Sequence, residues 1–188
     1  SLIELLVSIA VMALAMSGLA TLLIQNARIN KAQRMTAEVQ ANARNTLSMV
    51  VQSLRSAGWD PNNAGIPTLN LDPDTTDDVS EIEVFADLNE DSDTDDADEQ
   101  ILIRHLGSSR EVVWRPSNDV TEAFIVLSSN ISNDADGDGT IEPMFVPNAN
   151  PPTRITVQIT AQSPAPDPTS GDFIRYTVSS DVVLRKEL

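Results

Sequence analysis

Cysteine is absent from this 188-residue sequence, and histidine occurs once. Without thiols there is no disulfide framework, thiol nucleophile, iron–sulfur cluster or zinc finger. Any part that works outside the cell must therefore hold by packing or by bound metal. A single histidine cannot assemble a catalytic zinc site or a Cys/His dyad within one chain. The phosphate-cradling glycine motifs and the G-x-S-x-G nucleophile signature are missing too, so enzymatic activity is not expected. Bases are scarce: 12 Lys and Arg stand against 28 Asp and Glu, a formal net charge of -16. A surface of that sign repels nucleic-acid phosphates, and no nucleic-acid partner is expected for the acidic part.

What is present is unevenly placed. Residues 1–57 hold five bases (Arg28, Lys31, Arg34, Arg44, Arg55) and two acids (Glu4, Glu38), a formal +3; the remainder holds 26 acids and seven bases, a formal -19. Residues 5–27 contain no charge, no proline and one glycine, and nearly every side chain as far as Ile24 is apolar or small. A helix of about 20 such residues crosses a bilayer. The stretch has neither the basic start nor the small-residue cleavage site of a secretory signal. Beyond it, Met35, Val39, Ala43, Leu47, Val50, Val51 and Leu54 recur at spacings of three and four with polar residues between them, which predicts one buried helix face. Gly58 and Pro61 then supply a stop. The expectation is one helix over 2–57, roughly 80 Å long at about 1.5 Å per residue. It divides into an apolar transmembrane or filament-core half (1–27) and an amphipathic half (28–57), followed by an acidic β-rich head (58–188).

Glu4 is the lone acid in the apolar half. A carboxylate in the first turn is stabilised by the helix dipole and needs no partner. A carboxylate beside a membrane span also costs about 2.5 kcal/mol or more at mid-bilayer, and less near the interface, which invites a paired cation such as an amino terminus of this chain or of a neighbour.

The opening Ser1-Leu2-Ile3-Glu4-Leu5-Leu6-Val7 resembles the mature start of type IV pilins and type II secretion pseudopilins. In that family a leader is cut before an N-methylated residue, usually phenylalanine, which is followed by T/S-L-I/V-E-L-L/M-V. The family's glutamate stands one place further from the cleavage site than Glu4 stands from Ser1, so the methylated residue is expected just before Ser1. Gln40-Ala41-Asn42-Ala43-Arg44, Leu54-Arg55-Ser56-Ala57-Gly58-Trp59-Asp60-Pro61, Phe85-Ala86-Asp87-Leu88-Asn89 and Val182-Val183-Leu184-Arg185 are similar to segments of PilW-like minor pilins. The resemblance implies a pilin-like fold in which Glu4 neutralises the terminal amine of an adjacent subunit. Ser1, Leu2, Ile3 and Leu5 would lie around that contact, and residues 2–24 would form the bundled filament core. It further implies a prepilin peptidase and assembly machinery as partners, the bacterial inner membrane before assembly, and an extracellular or periplasmic filament afterwards. Residues 1–57 contain no aromatic side chain, so no continuous aromatic stack is expected through such a core.

From residue 81 onward, short alternating runs rich in β-branched residues predict strands over 81–86, 100–106, 110–115, 123–128, 154–161 and 173–184. In the fifth run Ile155, Val157 and Ile159 share a face. Gly107-Ser108-Ser109 reads as a hairpin turn, and 161–172, with its prolines, as an exposed loop. Trp59, Trp114, Phe124 and Tyr176 are expected in the core, and His105, in strand parity with Ile101 and Ile103, at its edge.

Two acidic segments resemble calcium loops, in which alternate oxygen side chains converge on a hard cation. In the first, Asp134, Asp136, Asp138, Thr140 and Glu142 surround Gly137 and Gly139, but the twelfth loop position is Phe145 rather than an acid. In the second, Asp87, Asn89, Asp91, Asp93 and Asp98 stand at loop positions one, three, five, seven and twelve, with Ser92 in place of the turn glycine. The alternative is a solvated turn in the first case and a self-repelling acidic loop in the second, since residues 72–99 contain 14 acids and no base.

The expected protein is thus α+β: a long N-terminal helix packed on an antiparallel β-sheet head. Its expected role is that of a structural filament subunit, with Ca2+ as a cofactor and other copies of itself or other pilins as partners. A minor or tip subunit that initiates assembly and a calcium-dependent adhesin displayed on a filament are the alternatives.

Overall fold

The computed structural model describes residues 1–71, 79–96, 98–116 and 121–184. The seven residues 72–78 of the acidic stretch, and Arg185 of the closing motif, lie outside the described residues.

Helix α1 (Leu2–Ser56) is a single 55-residue element. No proline interrupts it, and its apolar stripe begins to pack only at Met35. The buried face consists of Met35, Val39, Ala43, Thr46, Val50, Val51 and Leu54, the predicted periodicity with Thr46 in place of the half-buried Leu47. Thr46 is accommodated because its Oγ1 donates to the Asn42 carbonyl at 2.8 Å. The helix ends where Gly58 turns with φ 70°. A Cβ at that position would stand 2.9 Å from Thr68 Oγ1, so the stop needs glycine both for its backbone and for its space.

The head contains two antiparallel sheets. The first runs in order β1 (Leu69–Leu71), β2 (Val79–Phe85), β3 (Gln100–Leu106), β4 (Glu111–Arg115) and β5 (Ile125–Ser129); the second is β6 (Phe145–Pro147), β7 (Arg154–Gln162) and β8 (Arg175–Val183). In the first sheet Val84 pairs with Ile101, Ile82 with Ile103, and Ser80 and Val112 with His105, giving one apolar face. In the second, Ile155 pairs with Val182, Ile159 with Val178 and Ala161 with Tyr176. That ladder is the principal seat of α1, which also touches β2 and β5. The helix stripe and both sheet faces close one aliphatic core in which Val50, Ile82, Ile103, Ile131, Met144, Ile155 and Ile159 have no exposed surface. The sheets are tied by an Ile131–Ala161 bridge and by the Met144 amide donating to Ser80 Oγ at 3.1 Å.

Six strands lie where alternation predicted them. Strands β1 and β6 were not predicted, because three residues are too few to show a period. The expected exposed loop begins later than the prolines suggested: β7 continues to Gln162, and Ala161, Gln162 and Ser163 are buried. The aromatic residues also correct the expectation. Trp59, Trp114, Phe124 and Tyr176 are only half-buried; the core is mainly aliphatic with Phe145 buried in it, and Trp114 and Tyr176 pack against its margin. Phe124 lies under two guanidinium groups, Arg104 at 4.8 Å and Arg115 at 5.1 Å from its centroid.

Candidate membrane helix and acidic cation loops

The first half of α1 buries nothing in this chain: residues 1–31 are exposed throughout. Leu2, Ile3 and Leu5 are 80%, 71% and 64% exposed, and Leu22, Leu23 and Ile24 remain above half. This segment is long and apolar enough to cross a membrane. Its few hydroxyls make no demand on an apolar surrounding. Ser8 donates to the Glu4 carbonyl, Ser17 to Leu14 and Thr21 to Ser17, each within 2.9 Å on the helix's own backbone. Glu4, its side chain 80% exposed, stands in the first turn of α1 with Oε2 2.5 Å from the Ser1 nitrogen.

The first acidic loop connects β2 to β3, and two buried carboxylates organise it. Asp87, fully buried, accepts the Asp91 amide on Oδ1 at 3.1 Å and the Ser92 amide on Oδ2 at 3.0 Å. Glu99, 1% exposed, accepts the Leu88 and Asn89 amides on Oε1 at 2.8 and 3.0 Å, while its buried Oε2 has no hydrogen-bond partner. Exposed acids step along the loop as Asx turns: the Asp93 amide donates to Asp91 and the Asp95 amide to Asp93. Asn89 donates to both Asp91 and Asp96. Ser92 holds φ 78°, the left-handed conformation expected of the glycine it replaces. The carboxyl of Asp95 is pushed above the ordinary aspartate range, first by its contact with Asp93 and then by the charges of Asp93, Asp96 and Asp91.

Oxygens of Asp91, Asp93 and Glu99 lie within 4.8 Å of one another and could hold a metal ion. Of the residues expected from sequence, Asp91 and Asp93 are in this group. Asp87 is turned instead to the loop backbone, Asn89 braces the acids, and Asp98 stands exposed at φ 69° outside it. Glu99 takes the place expected of Asp98. Sequence spacing had singled out Asp98 and passed over Glu99, whose one signal was its place directly before the alternating strand 100–106.

The second loop brings Asp134, Asp136 and Asp138 together, again with oxygens within 4.8 Å. Asp134, 9% exposed, accepts the Gly137 amide at 2.7 Å, and Asp138 accepts the Thr140 amide at 2.7 Å. The latter bond leads the causes that hold the Asp138 carboxyl below its ordinary range. Thr140 thus enters through its amide, and Glu142 lies at the loop base, where Oε2 accepts the Ala135 amide at 3.1 Å. A base also reaches this loop, which sequence reasoning missed: Arg175 of β8 places Nη2 3.8 Å from Asp134 Oδ2.

His105 has no exposed surface. Its Nε2 faces the Ile131 carbonyl at 2.9 Å, which fixes the proton there and leaves Nδ1 bare and without a partner. Burial pushes its pKa below 6.5, against the raising effect of the Ile131 bond.

Compared with family models, curated proteins and solved structures, the chain gives no match.

Proposed function

We propose that this chain is a structural, non-catalytic subunit of a bacterial type IV pilus-like or pseudopilus filament. The observation that carries the reading is the bare half of α1: residues 1–31 are exposed along a helix in which Glu4 is the one ionised side chain before Arg28. Such a surface needs an apolar surrounding. The inner membrane provides it before assembly, and a bundle of equally apolar helices provides it afterwards. Moving from lipid to protein brings little hydrophobic gain, so close packing at Ala10, Ala13, Ala15 and Gly18, together with the Glu4 charge pair, sets the register. Glu4 would neutralise the terminal amine of a neighbouring subunit. Head-to-tail contacts that do not close into a ring generate an open helix. The partners on this reading are other copies or other pilins, a prepilin peptidase and the assembly machinery, and the finished filament is extracellular or periplasmic. Calcium is the cation proposed wherever an acidic loop takes one, since hard carboxylate oxygens in irregular array suit it better than magnesium.

Glu4→Ala is the direct test. The variant is expected to insert into membranes as the parent does and to fail to enter filaments; normal fibres from it would sink the charge-pair mechanism. The PilW-like segments favour a second reading, a minor or tip subunit that starts a fibre completed by other pilins. Filament imaging with subunit stoichiometry separates the two, because fibres built of this chain alone exclude the minor role.

A further inference from the structure

The two acidic loops differ in what neutralises them. The 134–142 loop already has a cation, the Arg175 guanidinium, 3.8 Å from Asp134. It is seated so closely that a Cβ on Gly137 would stand 2.6 Å from its Nη1. The β2–β3 loop lies in a stretch of sequence, residues 72–99, that contains no base. There Glu99 is 1% exposed, its Oε1 is occupied by two amides, and its Oε2 is closed to solvent with no hydrogen-bond partner. A buried anionic oxygen without a donor is costly, and a cation shared with neighbouring carboxylates removes that cost. Oxygens of Asp91 and Asp93 stand with one from Glu99, all within 4.8 Å of one another.

We propose that the β2–β3 loop is the divalent-cation site of the head, with Glu99 as its buried anchoring ligand and Asp91 and Asp93 closing over the ion from the solvent side. The 134–142 loop is held by Arg175 in its place. The inference rests on the reading of calcium as the cation, and it names which loop takes the ion and through which residue. Glu99 both fixes the Leu88 and Asn89 amides and supplies the inner oxygen, so loop shape and ion binding depend on one side chain.

The test is calorimetric titration of the full chain, in detergent micelles and stripped of metal, with calcium chloride. The parent is expected to bind one ion, with an unfolding midpoint raised by about 5 °C or more at roughly a hundredfold excess over Kd. Glu99→Gln keeps an acceptor for the two amides and should weaken binding roughly tenfold or more. Asp93→Asn, at an exposed position that does not threaten the fold, should weaken it several-fold. Asp136→Asn in the other loop should leave it unchanged. Absence of binding by the parent overturns both the calcium reading and this assignment. Binding that survives in Glu99→Gln and Asp93→Asn but is lost in Asp136→Asn overturns the assignment alone.

Discussion

His105 shows how one residue joins sequence parity to a measurable property. Its place two residues after Ile103 on β3 puts it on the apolar face, and the Ile131 carbonyl satisfies one nitrogen while the other has no partner. Protonation in the folded state would bury a charge, so the folded pKa lies below the unfolded value of about 6.5. A depressed pKa means that the unfolded chain takes up the proton first. The contribution to stability is therefore complete above about pH 6.5 and is lost as pH falls from there through the folded pKa. The unfolding midpoint should decline on acidification from pH 7 to pH 5. In His105→Gln, which retains a donor for Ile131, that decline should flatten; an unchanged slope would show that other groups govern it. Alternation placed His105 on the apolar face but only at the edge of the core, whereas the fold buries it completely. The role of Glu99 was not legible, because a run of acids looks alike in sequence and only the fold decides which member faces inward.

At the scale of elements, α1 is one helix with two unlike surfaces, bare in its first half and packed in its second. Its stripe from Met35 to Leu54 was readable from the spacing of apolar side chains, as was its seat on strands whose own alternation left one face in need of cover. Leu54, 1% exposed at the end of that stripe, packs in the common core. Leu54→Ala should cost about 2–5 kcal/mol in chemical denaturation of the head, whereas Leu14→Ala on the bare half should leave head stability unchanged. A comparable loss from Leu14→Ala would mean that the apolar half packs on the head after all. Strands β1 and β6 escaped sequence reading because their pairing, Leu69 with Val84 and Phe145 with Val157, comes from partners already in place rather than from any pattern of their own. The Asp134–Arg175 contact escaped for the same reason, since it joins residues whose proximity only β7 and β8 create.

For the whole molecule, the division of labour falls near residue 34. Among the described residues, the buried core lies from Met35 onward, and the continuous bare apolar surface lies before it, with only scattered exposed apolar side chains such as Ile125, Val126 and Val183 on the head. A chain beginning near Arg28 should therefore be soluble without detergent, retain the circular-dichroism signature of the head and unfold at the same temperature as the full chain in micelles. Aggregation of that fragment would place part of the fold in the missing half. Three hydrogen bonds among the described residues help tie the head to the helix exit: the Gly58 amide donates to the Phe85 carbonyl at 2.9 Å, the Asp87 amide to the Trp59 carbonyl at 2.8 Å, and Asn62 Nδ2 to the Glu90 carbonyl at 2.7 Å. Two of these three are made by residues of the acidic loop. The joint between helix and head is thus fastened to the acidic β2–β3 turn, so on the proposed cation reading its stiffness depends on the surrounding ions, and fibres of the proposed kind should bend more easily in chelator than in calcium.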